Sequence, residues 1–239
     1  MTHLPVDSSS SDSALNSGGE LVTLGRADTA LYAPLRDWMM ASNLVEQALK
    51  GGDEAPDFFL PDDRAHLVAL RSLLKKGPVV LSFLGGSWCS FCIAKLKALD
   101  AALAGRGGAP VTLVAITPET GSHPRRMRAD HQLQCMVQSD VDYGVGLLFG
   151  VMSVVPPAIV TEMGLRGLDL AQMHSVAKAM LAAPVVYLIE PSGRIALASL
   201  DRDYMTSADT DSLITALERL GERSRGRQTD ILTLRGALN

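Results

Sequence analysis

Two cysteines three residues apart, Cys89 and Cys92 in Gly86-Ser87-Trp88-Cys89-Ser90-Phe91-Cys92, are the side chains of this sequence best suited to covalent chemistry. Cysteines at i and i+3 on the first turn of a helix share a face, with Cβ atoms close to the separation that a disulfide requires. Such a pair can take electrons from a reductant and hand them to an oxidant. Cys89, at the helix mouth, is expected to be open to solvent among unpaired backbone N–H groups that favour an anion, so its thiolate is the expected nucleophile. Cys92, one turn deeper, is expected to stay protonated longer and to resolve whatever Cys89 has formed. A zinc half-site has the same spacing. It needs two further ligands, and the remaining candidates Cys135, His66, His123 and His131 show no second paired spacing. Trp88 either shields the thiolate or contacts a partner, or is an ordinary buried aromatic at a strand end. Cys135, alone in an apolar stretch, reads as a small core residue.

The dithiol needs a strand that hands over to a helix, and the sequence supplies both. Val79 to Leu84 is an apolar run of strand length, Gly85-Gly86 permits a tight turn, and Ile93 to Leu103 keeps helical period. Val111 to Thr117 reads as a second buried strand, so the two strands and their helix form a βαβ unit with a parallel pair. A basic helix follows over Ser122 to Leu133, a short strand over Gln134 to Gln138, and a helix over Val141 to Phe149 that Asp140 is placed to cap. Val185 to Glu190 and Arg194 to Leu200, around Pro191-Ser192-Gly193, read as a β-hairpin. A last helix spans Ala208 to Leu220. Upstream, one amphipathic helix is expected over Thr29 to Lys50 and a short helix over His66 to Lys75. The fold class is α/β, a thioredoxin-like fold: a central mixed sheet flanked by helices.

The organisation expected is a mobile Ser-rich tail over residues 1–25, a helical extension over 26–52, one domain over 53–220 and a polar tail over 221–239. Within the domain, residues 150–183 form an insertion with helical pattern from Leu168 to Leu181, too long for a plain connection.

The hydrophobic share of 47% and charged share of 20% are ordinary for a folded domain and exclude disorder over most of the chain. A net charge of -4 supplies no field for phosphate backbones or anionic lipid, so neither nucleic acid nor membrane is expected as partner. Residues 1–19 have neither a basic n-region nor an apolar h-region, so no secretory signal is expected. Three cysteines are too few for an extracellular disulfide framework, and the expected location is cytoplasmic. The oligomeric state stays open, a dimer included.

The stretch Phe83-Leu84-Gly85-Gly86-Ser87-Trp88-Cys89-Ser90-Phe91-Cys92, with Lys95-Leu96-Lys97-Ala98-Leu99, resembles the strand-to-helix junction of peroxiredoxin-like proteins of the alkyl hydroperoxide reductase and thiol-specific antioxidant group. Its WCxxC subgroup carries Trp-Cys-Pro-Tyr-Cys there. The resemblance extends to Ala55-Pro56-Asp57-Phe58, Leu60-Pro61-Asp62, Ser139-Asp140 to Phe149-Gly150, and Val185 to Asp201, covering most of Gly51 to Leu220. It implies a thioredoxin fold, Cys89 and Cys92 as the reacting pair, and reduction of a peroxide or a disulfide. No bound cofactor is implied, and the reductant would be an external thiol of thioredoxin or glutathione type. The resemblance also implies a cis-proline at Pro184, opposite the dithiol and just before the hairpin. Two departures stand out. Ser90 and Phe91 replace the Pro and Tyr between the thiols, while Ser82 and Gly86 stand seven and three positions before Cys89, where typical peroxiredoxins have Pro and Thr. Peroxidase and general disulfide oxidoreductase both follow as readings, beside a non-catalytic binding module or zinc protein. Arg202, after the hairpin, is a further residue that could reach the dithiol's edge.

Overall fold

A computed structural model describes residues 13–15, 21–23, 26–106, 110–200 and 209–236. Strands β1 (Ser13–Leu15) and β2 (Leu21–Thr23) pair antiparallel, so the stretch expected as a mobile tail holds a short hairpin. Helix α1 (Arg26–Ala41) and the single turn α2 (Leu44–Gln47) replace the one continuous helix expected here. The break falls at Ser42, whose N–H and hydroxyl both donate to the Met39 carbonyl, at 3.1 and 2.6 Å, and so close the last turn of α1. Tyr32, Leu35 and Met39 form the buried stripe of α1.

Strands β3 (Phe59–Pro61) and β4 (Leu67–Ala69) form a second hairpin, followed directly by α3 (Leu70–Leu74). The helix expected over His66 to Lys75 is therefore shorter, because its first residues pair with β3. Asp62 sets the turn by accepting the Arg64 and His66 N–H groups at 2.9 and 2.8 Å. Then come β5 (Val79–Phe83), α4 (Ser90–Ala104), β6 (Thr112–Thr117), α5 (His123–Asp130) and β7 (Met136–Ser139). Strand β5 is buried along its whole length, as a continuous apolar run in a central strand must be.

After α6 (Gly144–Leu148) the chain makes an excursion: β8 (Met152–Val154), α7 (Pro157–Leu165), α8 (Leu170–His174) and β9 (Met180–Ala182). The helical pattern expected to reach Leu181 ends at His174, and Met180 to Ala182 instead pairs antiparallel with β8, closing the excursion at its base. The hairpin β10 (Val185–Ile189) and β11 (Ile195–Leu200) follows as expected. Helix α9 (Thr210–Gly236) continues well past Leu220, where a polar tail was expected. Once a helix is nucleated on packed turns, each further residue adds a hydrogen bond at little entropic cost, and Glu, Arg, Gln and Leu sustain it.

The main sheet has the order β11-β10-β5-β6-β7. Strands β5, β6 and β7 run parallel, and β10 and β11 run antiparallel to their neighbours. With helices packed on it, this is a thioredoxin-like fold. Because β5 and β6 are parallel and in register from Val79 opposite Thr112 to Phe83 opposite Ile116, both end at one edge of the sheet. That edge carries the dithiol. Among the described residues no helix is long and apolar enough to cross a membrane.

Candidate active site

The chain leaves β5 at Phe83, and Leu84 still donates its N–H to the Ile116 carbonyl at 2.9 Å. It then turns at Gly86, whose φ of +148° lies in the region that suits glycine. A Cβ at that position would stand 2.5 Å from Trp88 Nε1 and 2.9 Å from Glu119 Oε1. Position 86 therefore has no room for the threonine of typical peroxiredoxins. Cys89 follows, its N–H bonded to the Gly86 carbonyl at 3.2 Å, and takes the N-cap position of α4 with extended backbone. Its Sγ accepts the Cys92 N–H at 3.2 Å, the bond that an N-cap side chain ordinarily makes to the third residue of a helix. The two cysteines are joined as a disulfide with Cα atoms 5.2 Å apart. A sulfur held in this way already has a backbone donor that would stabilise its thiolate.

The expectation of an open Cys89 is not met. Cys89 is 0% exposed and Cys92 1%. The residues on either side of Cys89 pack against an aromatic ring from α1. Tyr32 stacks on Trp88, with centroids 6.4 Å apart and planes at 20°, and meets Phe91 edge-on at 4.9 Å. Its hydroxyl accepts the Ser90 N–H at 3.0 Å and has the Trp88 carbonyl and the Ser90 hydroxyl each at 3.3 Å. The apolar stripe of α1 had to be buried somewhere, and it is buried partly over the mouth of α4 rather than wholly on a distant flank.

Glu119, like Tyr32, is a residue of this site that the sequence alone does not single out. It is fully buried beside the motif, accepting the Ser87 N–H at 2.9 Å, the Ser87 hydroxyl at 2.8 Å and the Thr117 hydroxyl at 3.5 Å. Burial pushes its carboxyl up, against the opposing pull of the Ser87 hydrogen bonds and of His123. A signal for it existed: parallel neighbours end together, so the residues after Thr117 must face those after Phe83.

Trp88 is half-buried, packed on Gly85 and Gly86, and its indole Nε1 has no hydrogen-bond partner. Pro184 and Cys92, but not Cys89, line a cavity of about 70 Å³. The cis bond expected before Pro184 is absent: the described peptide bonds, this one included, are trans. Ala183, the residue before Pro184, donates its N–H to the Val151 carbonyl at 2.8 Å, and a trans X–Pro bond is the ordinary isomer. Cys135 lies elsewhere, buried near Asp100 and Arg128, and burial pushes its thiol up to about 12. Among the described residues no three His, Cys, Asp or Glu side chains are grouped to hold a metal, and His66, His123 and His131 do not gather around the dithiol. Arg202 lies outside the described residues.

The sheet order, the strand-to-helix dithiol and the hairpin beside it agree with what comparison with known proteins finds. The AhpC/TSA family model matches residues 51–198. The chain belongs to the AhpC/TSA family. No curated protein matches it. Among solved structures, this AhpC/TSA chain is similar to a peroxiredoxin-like protein from Aquifex aeolicus, at 19% identity and a TM-score of 0.57 over 87% of this chain and 96% of that one. Peroxidoxin BcpB from Mycobacterium tuberculosis matches at 20% identity and a TM-score of 0.54, covering 72% of this chain and 96% of its own. A putative protein disulfide isomerase from Bacteroides thetaiotaomicron matches at 14% identity and 0.52, covering 75% and 95%. At these identities the likeness is one of fold, and the chemistry of this family member must be argued from its own residues.

Proposed function

We propose that the protein is a thiol-dependent oxidoreductase that reduces a peroxide through Cys89 and Cys92. One observation carries the reading: Cys89 Sγ is the N-cap acceptor of α4 and is within bonding reach of its partner three residues on. The Cys89 thiolate attacks one peroxide oxygen, an S–O bond forms, the O–O bond breaks, and the distal oxygen leaves as water or an alcohol after protonation. Cys92 then attacks the sulfenic sulfur, expelling water and forming the disulfide. An external thiol reductant of thioredoxin or glutathione type returns two electrons and regenerates both thiols.

A second reading, disulfide exchange without efficient peroxide turnover, is favoured by Ser82 and Gly86. Ser82 is buried within β5, paired in register with Ala115 and Val186, and Gly86 offers no hydroxyl to orient a peroxide.

The test is stopped-flow consumption of hydrogen peroxide by the reduced protein, beside its rate with a model disulfide. The expected result is one disulfide formed per peroxide consumed, with Cys89→Ser slower by about a hundredfold or more. Cys92→Ser should stop at a sulfenic acid that dimedone traps. Rapid reduction of the model disulfide with no peroxide loss would establish the second reading instead.

A further inference from the structure

Cys89 is 0% exposed and Cys92 1%, beside a cavity of only about 70 Å³, so an external thiol has almost no approach to either sulfur, yet the Cys89–Cys92 disulfide must be reduced if the protein is to turn over. Tyr32 of α1 is bonded to Ser90, the residue that follows Cys89. Tyr32 Oη accepts the Ser90 N–H at 3.0 Å, and its own proton has the Trp88 carbonyl and the Ser90 hydroxyl within 3.3 Å. The Ser90 N–H belongs to the first residue of α4, where a backbone donor has no partner inside the helix and seeks one outside it. Related sequences with Trp-Cys-Pro-Tyr-Cys carry proline at this position, and proline has no N–H to give. The serine of this chain and the tyrosine of its helical extension therefore make a pair: one departure from the family pattern supplies the donor, and the other partner arrives from 58 residues away.

We propose that α1 is a latched gate over the dithiol, with the Tyr32 hydroxyl on Ser90 as the latch and withdrawal of Tyr32 as the step that admits the reductant. With Tyr32 in place its hydroxyl occupies the donor beside Cys89; with Tyr32 withdrawn, the Ser90 N–H is released and the reductant thiolate can attack a sulfur. That attack breaks the Cys89–Cys92 bond, forms a mixed disulfide and leaves the other cysteine as a thiolate. A second reductant thiol then resolves the mixed disulfide and completes a two-electron reduction. The gate rests on the dithiol reading above but makes separate demands.

The experiment uses the full oxidised chain and follows appearance of alkylatable thiols after acid quench, with dithiothreitol and with a reduced thioredoxin as reductants. If opening precedes attack, rates at high reductant level off at one opening rate common to both reagents, or else both second-order rates carry the same opening factor. Tyr32→Phe keeps the ring and removes the latch, and is expected to accelerate reduction by both reagents by one common factor, on the order of fivefold to tenfold for a lost hydrogen bond. Ser90→Pro suits the first position of a helix while removing both the N–H and the hydroxyl, and should give a similar factor. The double variant should gain less than the product of the two single factors, because both changes break the Tyr32–Ser90 bond, and Tyr32→Phe alone also removes the contact with the Trp88 carbonyl. Ser90→Ala, which keeps the N–H, should change the rate less than Ser90→Pro. Additive effects of Tyr32→Phe and Ser90→Pro, or acceleration confined to one reagent, would overturn the gate. So would rates unchanged from the wild type in variants whose thermal unfolding remains cooperative. A wild-type chain that neither forms nor reduces this disulfide would remove the dithiol reading itself, whatever Tyr32 does.

Discussion

Glu119 shows how a single buried residue can organise the loop that carries the chemistry. Its carboxyl receives two donors from Ser87 and one from Thr117, so it joins the end of β6 to the turn that delivers Cys89. Glu119→Ala would leave the Ser87 N–H and both hydroxyls without their shared acceptor. An unsatisfied buried donor costs about 1–3 kcal/mol, and a drop of that size in unfolding free energy is expected from urea titration. Glu119→Gln retains an acceptor for the Ser87 N–H and can turn its amide toward the hydroxyl, so it should cost less than half as much. Equal losses in the two variants would mean that side-chain volume, not hydrogen bonding, fixes the loop. At this scale the sequence was legible where chemistry is local. Cys89 and Cys92 announce themselves by type and spacing. Tyr32 and Glu119 do not, because their partners lie 58 and 32 residues away; the shared edge at which β5 and β6 end points to the residues after Thr117, but nothing in a linear pattern marks Tyr32.

Elements whose signals are long and continuous were legible for a physical reason. Strands β5, β6 and β10 are mostly apolar runs of strand length, buried along nearly all of it as the inner strands of a sheet must be, the turn Pro191-Ser192-Gly193 marks the hairpin β10–β11, and α4 keeps a helical period long enough to exclude a strand. The short pairs β3–β4 and β8–β9 were not, since three-residue strands carry too little alternation to stand out and owe their pairing to the turn or the excursion between them. Helix α6 illustrates a short element held by its surroundings. Asp140 accepts the Val145 and Gly146 N–H groups at 3.1 and 2.7 Å, while its own N–H goes to the Thr117 carbonyl at 2.8 Å. One carboxylate thus ties the first turn of α6 to the loop that leaves β7, next to the end of β6. Asp140→Ala should lower stability by about 1–3 kcal/mol through two orphaned backbone donors, and Asp140→Asn by less, read from the shift in the denaturant midpoint at unchanged slope. A change in slope would instead indicate that α6 unfolds separately.

Across the whole molecule, the excursion between β8 and β9 is fastened to the body partly through a histidine with no charge to spare. His174 is fully buried, its Nδ1 is 3.0 Å from the Tyr143 hydroxyl, and that hydroxyl donates to the Lys178 carbonyl at 3.1 Å. With the Tyr143 proton so used, Nδ1 carries the imidazole proton and donates to the Tyr143 oxygen. Nε2 is left buried and without a partner, where a second proton would have no acceptor. Burial, followed by repulsion from His123, lowers the pKa of His174 from 6.5 to about 4. The unfolded chain therefore binds a proton that the folded chain refuses between those values, and folding stability must fall as pH drops from about 6.5 towards 4, levelling off below. Each tenfold change in proton affinity is worth about 1.4 kcal/mol, so the loss across this window is on the order of 3 kcal/mol. Glu119 and Asp140 work in the opposite sense, because burial raises both carboxyls and the folded state holds their protons longer as pH rises. Their contributions cancel when the wild type is compared with His174→Asn, which keeps a donor near the Tyr143 oxygen and does not titrate. Stability measured by urea at a series of pH values should show the gap between the two proteins shrinking, and then reversing or closing, as pH falls through this window. A gap that stays constant from about pH 7 to about pH 4 would mean that His174 takes up its proton in the folded state as readily as in the unfolded chain, and that the excursion is held to the body without regard to its charge.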